Sequence, residues 1–259
     1  MAIKLRDKVA VVTGGGKGIG KAISLAFARE GADVVMAAQT KSALEETAEE
    51  IKKVGRRAFP FVVDISKEDQ VSQFMSSTVS NLGRIDILVN NAGVAGPTVP
   101  VVDLQIEDWN RVIGVNLTGA YLCSKAVLKY MIKNKSGNIT NIGSMAGTKG
   151  LWRRSPYVVS KWGILGLTKT LALEVGMYGI RVNAICPGLV EGKRLDDVFR
   201  ERAKVMGISP DLIRKKAIDD TPLRRFVKPE EIAQTAIFLA SSGSEAITGQ
   251  IICVNAGQD

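Results

Sequence analysis

The chain has 259 residues, 46% of them hydrophobic, a size and composition that bury a sizeable core and fit a single α/β domain. It holds no histidine, which excludes every Ser-His or Cys-His nucleophile and every His-ligated metal site; no metal is expected, and proton transfer falls to other residue types. The 35 Lys and Arg against 26 Asp and Glu give a net charge of +9, which favours anionic partners by long-range steering. The basic pairs Lys52-Lys53, Arg56-Arg57, Arg153-Arg154 and Arg224-Arg225 are dispersed, with no aromatic interleaving and no DNA-reading module, so most of them read as solvated surface and not as a nucleic-acid site.

The start, MAIKLRDK, is charged and runs into a short strand-like stretch, and no apolar run reaches the roughly 18 residues of a membrane span. A cytoplasmic protein with no membrane contact is expected. "KVAVVTG" reads as a buried strand and residues 20–30 as a helix with Ala22, Ile23, Ala26 and Phe27 on one face, closed by Gly31. "DVVMAA" is the second strand, after which Ser42 and Glu45 form a capping-box pattern opening a helix that ends at Gly55. "AFPFVVDIS" is the third strand, Ser66 caps a helix running to about Asn81, and "RIDILVNNAG" is the fourth strand. A long helical region spans about 104–134 with an interruption near Gly119. The strand "NITNIGS", a helix over about 156–175 and the strand "IRVNAICPG" follow. After a looser charged segment at 189–227, Pro229 opens "EEIAQTAIFLAS", and "GQIICVNAG" supplies the last strand.

Strands separated by helices require crossover connections, and right-handed crossovers build a parallel sheet covered on both faces. The expected fold is α/β, a doubly wound Rossmann-type parallel sheet in one domain. Cys123, Cys186 and Cys253, odd in number and each in apolar surroundings, read as reduced core residues.

"TGGGKGIG" at 13–20 places five glycines at the first strand-to-helix turn. Glycines there let the chain bend tightly and let backbone N–H groups approach a phosphate at the positive end of a helix, which points to a dinucleotide pyrophosphate; a plain tight turn is the competing account. The spacing Thr-Gly-x-x-x-Gly-x-Gly resembles the cofactor turn of the classical short-chain dehydrogenase/reductase family. The resemblance extends along nearly the whole chain: "NNAG" at 90–93, Asn116 in "GVNLTG", Ser144 in "NIGS", Tyr157-x-x-x-Lys161, and Pro187-Gly188, all in the family's order. Singly, Tyr157 and Lys161 would pass as a helix-surface pair, Ser144 as a turn residue and Asn116 as a helix-kink partner. Jointly, in a histidine-free dinucleotide fold, the catalytic account prevails.

The resemblance implies reversible hydride transfer between a nicotinamide and a carbon bearing a hydroxyl or carbonyl. It makes Tyr157 the general acid/base, Lys161 the cation that lowers its pKa and holds the nicotinamide ribose, Ser144 the partner of the reacting oxygen, and Asn116 the holder of a relay water. A phenol of ordinary pKa about 10 needs such a cation to serve as a base near neutrality. The resemblance also implies cofactor contacts at Thr13, Gly14, Lys17, Gly18, Ile19, Gly20, Gln39, Asp64, Ile65, Asn91, Ala92, Gly93, Pro187, Gly188 and Val190, and a homotetramer. NAD and NADP stay open: Ala38 and Gln39 stand where an acidic residue would reject a 2′-phosphate, and Lys17, with Lys41 nearby, tips the choice towards NADP.

The segment at 189–227 falls where family members carry a substrate lid. "MAGTKGLWRRSP", between Ser144 and Tyr157, should border the reacting centre, so Trp152, Arg153, Arg154, Lys193 and Arg194 are candidate substrate contacts, the cations for a polar or anionic group. The expected substrate is a small polar molecule of sugar, polyol or hydroxy-acid type. A 3-oxoacyl carrier-protein reductase and a non-catalytic dinucleotide sensor are the competing readings.

Overall fold

The computed structural model describes residues 3–258. β1 (Val9–Thr13) is buried along its whole length, with Ala10 and Val12 in the core on one face and Val9 and Val11 in the core on the other. That two-sided burial is what a strand covered by helices on both faces requires. β2 (Asp33–Ala38) divides likewise, Val34 and Met36 against Val35 and Ala37. With β3 (Ala58–Val62), β4 (Ile87–Asn90), β5 (Gly137–Ile142), β6 (Ile180–Pro187) and β7 (Ile251–Val254) they form one parallel sheet, ordered β3-β2-β1-β4-β5-β6-β7.

On one face lie α1 (Gly18–Arg29), α2 (Lys41–Lys53) and α9 (Pro229–Ala240); on the other lie α3 (Glu68–Leu82), α5 (Gly119–Asn134) and α6 (Ser155–Val175). The chain reverses direction across the sheet between β1 and β4, the crevice where doubly wound sheets bind ligands. The expected fold class is therefore what the chain adopts. Among the described residues no helix is long and apolar enough to cross a membrane, and no His, Cys, Asp and Glu cluster could hold a metal.

Some local expectations need correction. Helix α1 starts at Gly18, two residues before the expected start. Thr40, not Ser42, stands at the N-cap of α2, so Ser42 already lies in the first turn and the expected capping box does not form. Lys67 is the N-cap of α3, while the Ser66 hydroxyl donates to Asp64 Oδ1 at 2.7 Å. The long helical region is a short 3-10 turn (Val101–Asp103), α4 (Ile106–Ile113), a widened π-helical turn (Gly114–Thr118) and α5; the interruption precedes Gly119. Cys253 is exposed on β7, whereas Cys123 and Cys186 are buried, and burial pushes their thiols up to about 12 and about 11.

The charged segment folds into α7 (Lys193–Met206) and α8 (Pro210–Asp219), which close over a satellite core of Leu195, Phe199, Ala203, Ile213 and Phe226. At the opposite end of the sheet, β3 carries Pro60 opposite Met36. Val63 N donates inward to Ala38 O, so alternation along the strand turns the Pro60 nitrogen to the open edge, where its lack of an N–H breaks no ladder bond.

Candidate active site

Most of the glycine turn is dictated by the protein itself. A Cβ on Gly20 would lie 2.1 Å from Gly14 O, one on Gly15 2.8 Å from Met36 Cγ, one on Gly16 2.9 Å from the Ala43 carbonyl carbon, and one on Gly14 2.8 Å from Asn91 Nδ2. Gly18 differs: with φ +51° it faces open space, no atom lying within 4 Å. It is also the first residue of α1, whose N-cap, Lys17, supplies no side-chain bond to the free N–H groups. An uncapped, side-chain-free helix start is a site for a phosphate. Lys17 is exposed beside it and Ile19 is half-buried.

Thr13 and Asn91 lock the floor of this crevice. Asn91 N and Ala92 N donate to Thr13 Oγ1 at 3.0 and 3.1 Å, and Asn91 Nδ2 donates to Thr13 O at 2.9 Å. Both side chains tie β1 to β4. At the end of β2, Gln39 is exposed near Asp64. Burial pushes the Asp64 carboxyl up, but donors from Ser66, the charge of Lys67 and the nearby Gln39 amide together hold it below the usual carboxylate range. Ile65 is buried against Gly119, so only its main chain can face a nucleotide. Gly188 donates to Val254 O at 3.0 Å and has Asn255 Cα 2.8 Å from where its Cβ would stand, which fixes Pro187-Gly188 against the end of β7. Val190 pairs with Val227 in an isolated parallel bridge that joins the two ends of the 189–227 segment.

Beyond β4, Gly93 leaves room that a side chain would fill: its Cβ would stand 3.1 Å from Asn116 Oδ1 and 3.9 Å from Lys161 Nζ. Asn116, 2% exposed in the π turn, is fully engaged. Its Oδ1 accepts from Val94 N at 2.7 Å, and its Nδ2 donates to Val94 O and Ser160 Oγ, both at 3.0 Å.

The first two turns of α6 carry Tyr157, Ser160 and Lys161. Lys161 is buried; its Nζ donates to Ile142 O at 2.7 Å and lies 5.9 Å from the Tyr157 ring centroid. Burial lowers the Lys161 pKa, against the opposing pull of Tyr157. Burial would raise Tyr157, yet the charges of Lys161 and Arg194, the Ser144 hydroxyl and Arg154 together bring the phenol below its ordinary value. Ser144 sits at the end of β5 and its Oγ accepts from Ala146 N at 3.1 Å.

Of the basic candidates, two reach this cluster. The guanidinium carbon of Arg154 lies 5.2 Å from the Tyr157 ring centroid and that of Arg194 5.8 Å. Arg153, at φ +58°, stacks on the exposed Trp152 ring at 4.1 Å, and Lys193 pairs with Asp197 along the surface of α7 at 3.0 Å. Those three side chains make local contacts only. Sequence reasoning missed Ser160, which accepts from Asn116 and donates to Tyr157 O at 2.7 Å; a small polar residue on the buried face of an apolar helix was the available sign. It also missed the buried chain Asn90-Asn141-Thr168, which joins β4 and β5 to α6.

A nucleotide crevice beside a tyrosine-lysine pair defines a class, the dinucleotide-dependent oxidoreductases. A family model described as enoyl-(acyl carrier protein) reductase matches residues 14–259. The chain is 38% identical over 255 residues to a 3-oxoacyl-[acyl-carrier-protein] reductase of Thermotoga maritima, covering 98% of this chain and 99% of that relative. The solved structure of NAD+-bound xylitol dehydrogenase superposes with a TM-score of 0.95 at 36% identity, covering 98% of this chain and 100% of that one. A variant of actinorhodin polyketide ketoreductase with NADPH superposes at 0.93 with 34% identity, covering 96% of each. The chain belongs to the classical short-chain dehydrogenase/reductase family, and as such is an NAD(P)-dependent oxidoreductase acting on CH–OH and C=O groups.

Proposed function

We propose that the chain interconverts a small polar alcohol and its carbonyl compound, with Tyr157 as general acid/base. The observation that carries this reading is the convergence of Ser144, Tyr157 and Lys161 beside the gap at Gly93, with the phenol drawn below its ordinary pKa. The residues fit a dinucleotide. The N–H groups around Gly18 and the Lys17 ammonium would hold its phosphates; Gln39, Asp64 and the Ile65 main chain would meet the adenosine, and Ala92, Gly93, Pro187, Gly188 and Val190 the nicotinamide half. The cofactor supplies the hydride carrier.

In reduction the Tyr157 hydroxyl donates its proton to the substrate oxygen; in oxidation the phenolate takes the hydroxyl proton. Ser144 holds that oxygen in line. Lys161 gives one of its three donors to Ile142 O, which leaves two for the ribose hydroxyls. The Asn116 amide is occupied at both ends, so a relay water would rest on main-chain carbonyls of the π turn and not on its side chain. The homotetramer expected of the family belongs to this reading, supported by the exposed Val159, Trp162 and Leu173 along α6.

Tyr157→Phe should lower turnover at least about a thousandfold while cofactor affinity, read by nicotinamide fluorescence, changes little. Near-normal turnover in that variant would overturn the assignment; it would also separate an enzyme from a dinucleotide sensor. A second reading, reduction of a 3-oxoacyl thioester, is favoured by the 38% identity to the Thermotoga reductase. Initial rates on polyols, hydroxy acids and a short 3-oxoacyl thioester, each with both cofactors, decide between them. The expected result is a small hydroxy compound with NADP ahead of NAD by about tenfold, since Lys17 is exposed and no acid closes β2. A large advantage for NAD would reverse the cofactor choice.

A further inference from the structure

Three cations surround the ring of Tyr157. Lys161 Nζ, the Arg154 guanidinium and the Arg194 guanidinium lie 5.9, 5.2 and 5.8 Å from its centroid. No described carboxylate forms an ion pair with any of them. The acids of α7 are engaged elsewhere, Asp196 with Arg214 and Asp197 with Lys193 and Arg200. Glu201 acts on Arg154 only at a distance.

Arg154 is 8% exposed, an extreme position for a guanidinium. Its Nη2 donates to Ala95 O at 2.7 Å and its Nη1 makes a long contact of 3.4 Å to Thr98 Oγ1, while its Nε is buried with no acceptor. A buried cation left partly unsatisfied and without a counter-charge is costly, and persists where something else supplies the charge. Arg194 is exposed but likewise has no acid beside it: it sits in the first turn of α7, where a positive charge opposes the helix dipole, and its one hydrogen bond among the described residues goes to Gly93 O at 3.2 Å. The two guanidiniums come from different elements, one from the start of α6 and one from the start of α7. Both flank the group assigned to proton transfer.

We propose that the substrate carries a fixed negative charge, a carboxylate, sulfonate or phosphate, gripped between Arg154 and Arg194 while its neighbouring hydroxyl or carbonyl faces Tyr157. The inference rests on the oxidoreductase reading above and narrows its substrate class. Guanidiniums bind such groups through paired, charge-assisted hydrogen bonds, and an incoming anion would give Arg154 and Arg194 the counter-charge that no described carboxylate supplies. It would also relieve the mutual repulsion of the two arginines, and it would draw α7 onto the cleft.

Calorimetric titration of the chain saturated with NADP+ or NAD+ tests this, with propanoate, propane-1-sulfonate and propyl phosphate as probes and 1-propanol as the neutral control. At least one anion should bind at least about tenfold more tightly than the alcohol, and the tightest identifies the headgroup. Arg194→Gln and Arg154→Gln should each weaken that anion at least about tenfold, with cofactor affinity changed less than about threefold. Arg154→Lys retains the charge and serves if Arg154→Gln fails to fold; loss of the paired hydrogen bonds should still weaken the anion. The proposal falls if no anion outcompetes propanol, if the variants bind as the parent does, or if the loss appears in cofactor affinity, which would assign the arginines to the cofactor phosphates. Anion binding together with normal turnover by Tyr157→Phe would sink the proton-transfer assignment and leave this one standing. Oxidation of neutral alcohols with no anion binding would do the reverse.

Discussion

In the proposed reaction Tyr157 gives up a proton where burial alone would keep it on, and the surrounding cations reverse that preference. The sign of the consequence is fixed. Oxidation needs the phenolate, so kcat for oxidation should rise with pH and level off below the ordinary tyrosine value of about 10, while reduction, which needs the phenol, should fall through the same range. Arg194→Gln removes one of the lowering charges and should move both midpoints upward. Profiles of kcat against pH in both directions read this; an unmoved or lowered midpoint contradicts it. Tyr157 and Lys161 were legible through the joint family pattern in which they stand, since a spacing of four alone would pass as a helix-surface pair. Which of four neighbouring cations reaches the tyrosine was not legible, since that depends on how α7 docks and on Arg153 taking a left-handed conformation that turns it onto Trp152.

The glycine turn separates two reasons for the same residue type. Gly20→Ala would drive a Cβ into Gly14 O at 2.1 Å and should cost a few kcal/mol of stability, roughly the upper range for overpacking. Gly18→Ala meets nothing and bears only the strain of φ +51°, about 1 kcal/mol, so it should fold with a small loss in Tm and a much larger loss of cofactor affinity. Thermal melts and fluorescence titration of the two variants distinguish them; equal destabilisation would show that Gly18 also serves packing. The alternation of strands and helices was readable because period and punctuation agree along most of the chain. Helix starts were less so. Ser42 and Ser66 look like caps, but Thr40 and Lys67 occupy those positions, because Ser66 is held by Asp64 and α2 begins one turn-position early. An interruption near Gly119 was legible but its π form was not, since Asn116 within the turn is held by tertiary bonds to Val94 and Ser160.

At the scale of the molecule, the net charge of +9 acts on approach more than on the docked state. For an anionic substrate kcat/KM should fall severalfold between about 10 and 150 mM salt as the screening length shrinks, while a neutral alcohol should show almost no change. Equal salt dependence for both would remove steering from the account. Class, sheet and crevice were open to reading in the primary structure. The packing of the 189–227 segment into two helices was not, because its satellite core around Phe199 and Phe226 is small and the segment is heavily charged.

The two margins of the sheet are unequal. Pro60 interrupts the outer row of donors along β3, whereas β7 holds no proline and keeps its donors. If copies of the chain join margin to margin, the β7 side is the one available, and a two-fold pair joined there presents a proline-blunted border at both far ends. Such an assembly terminates at a pair of sheets and has no free end from which to polymerise into a fibre.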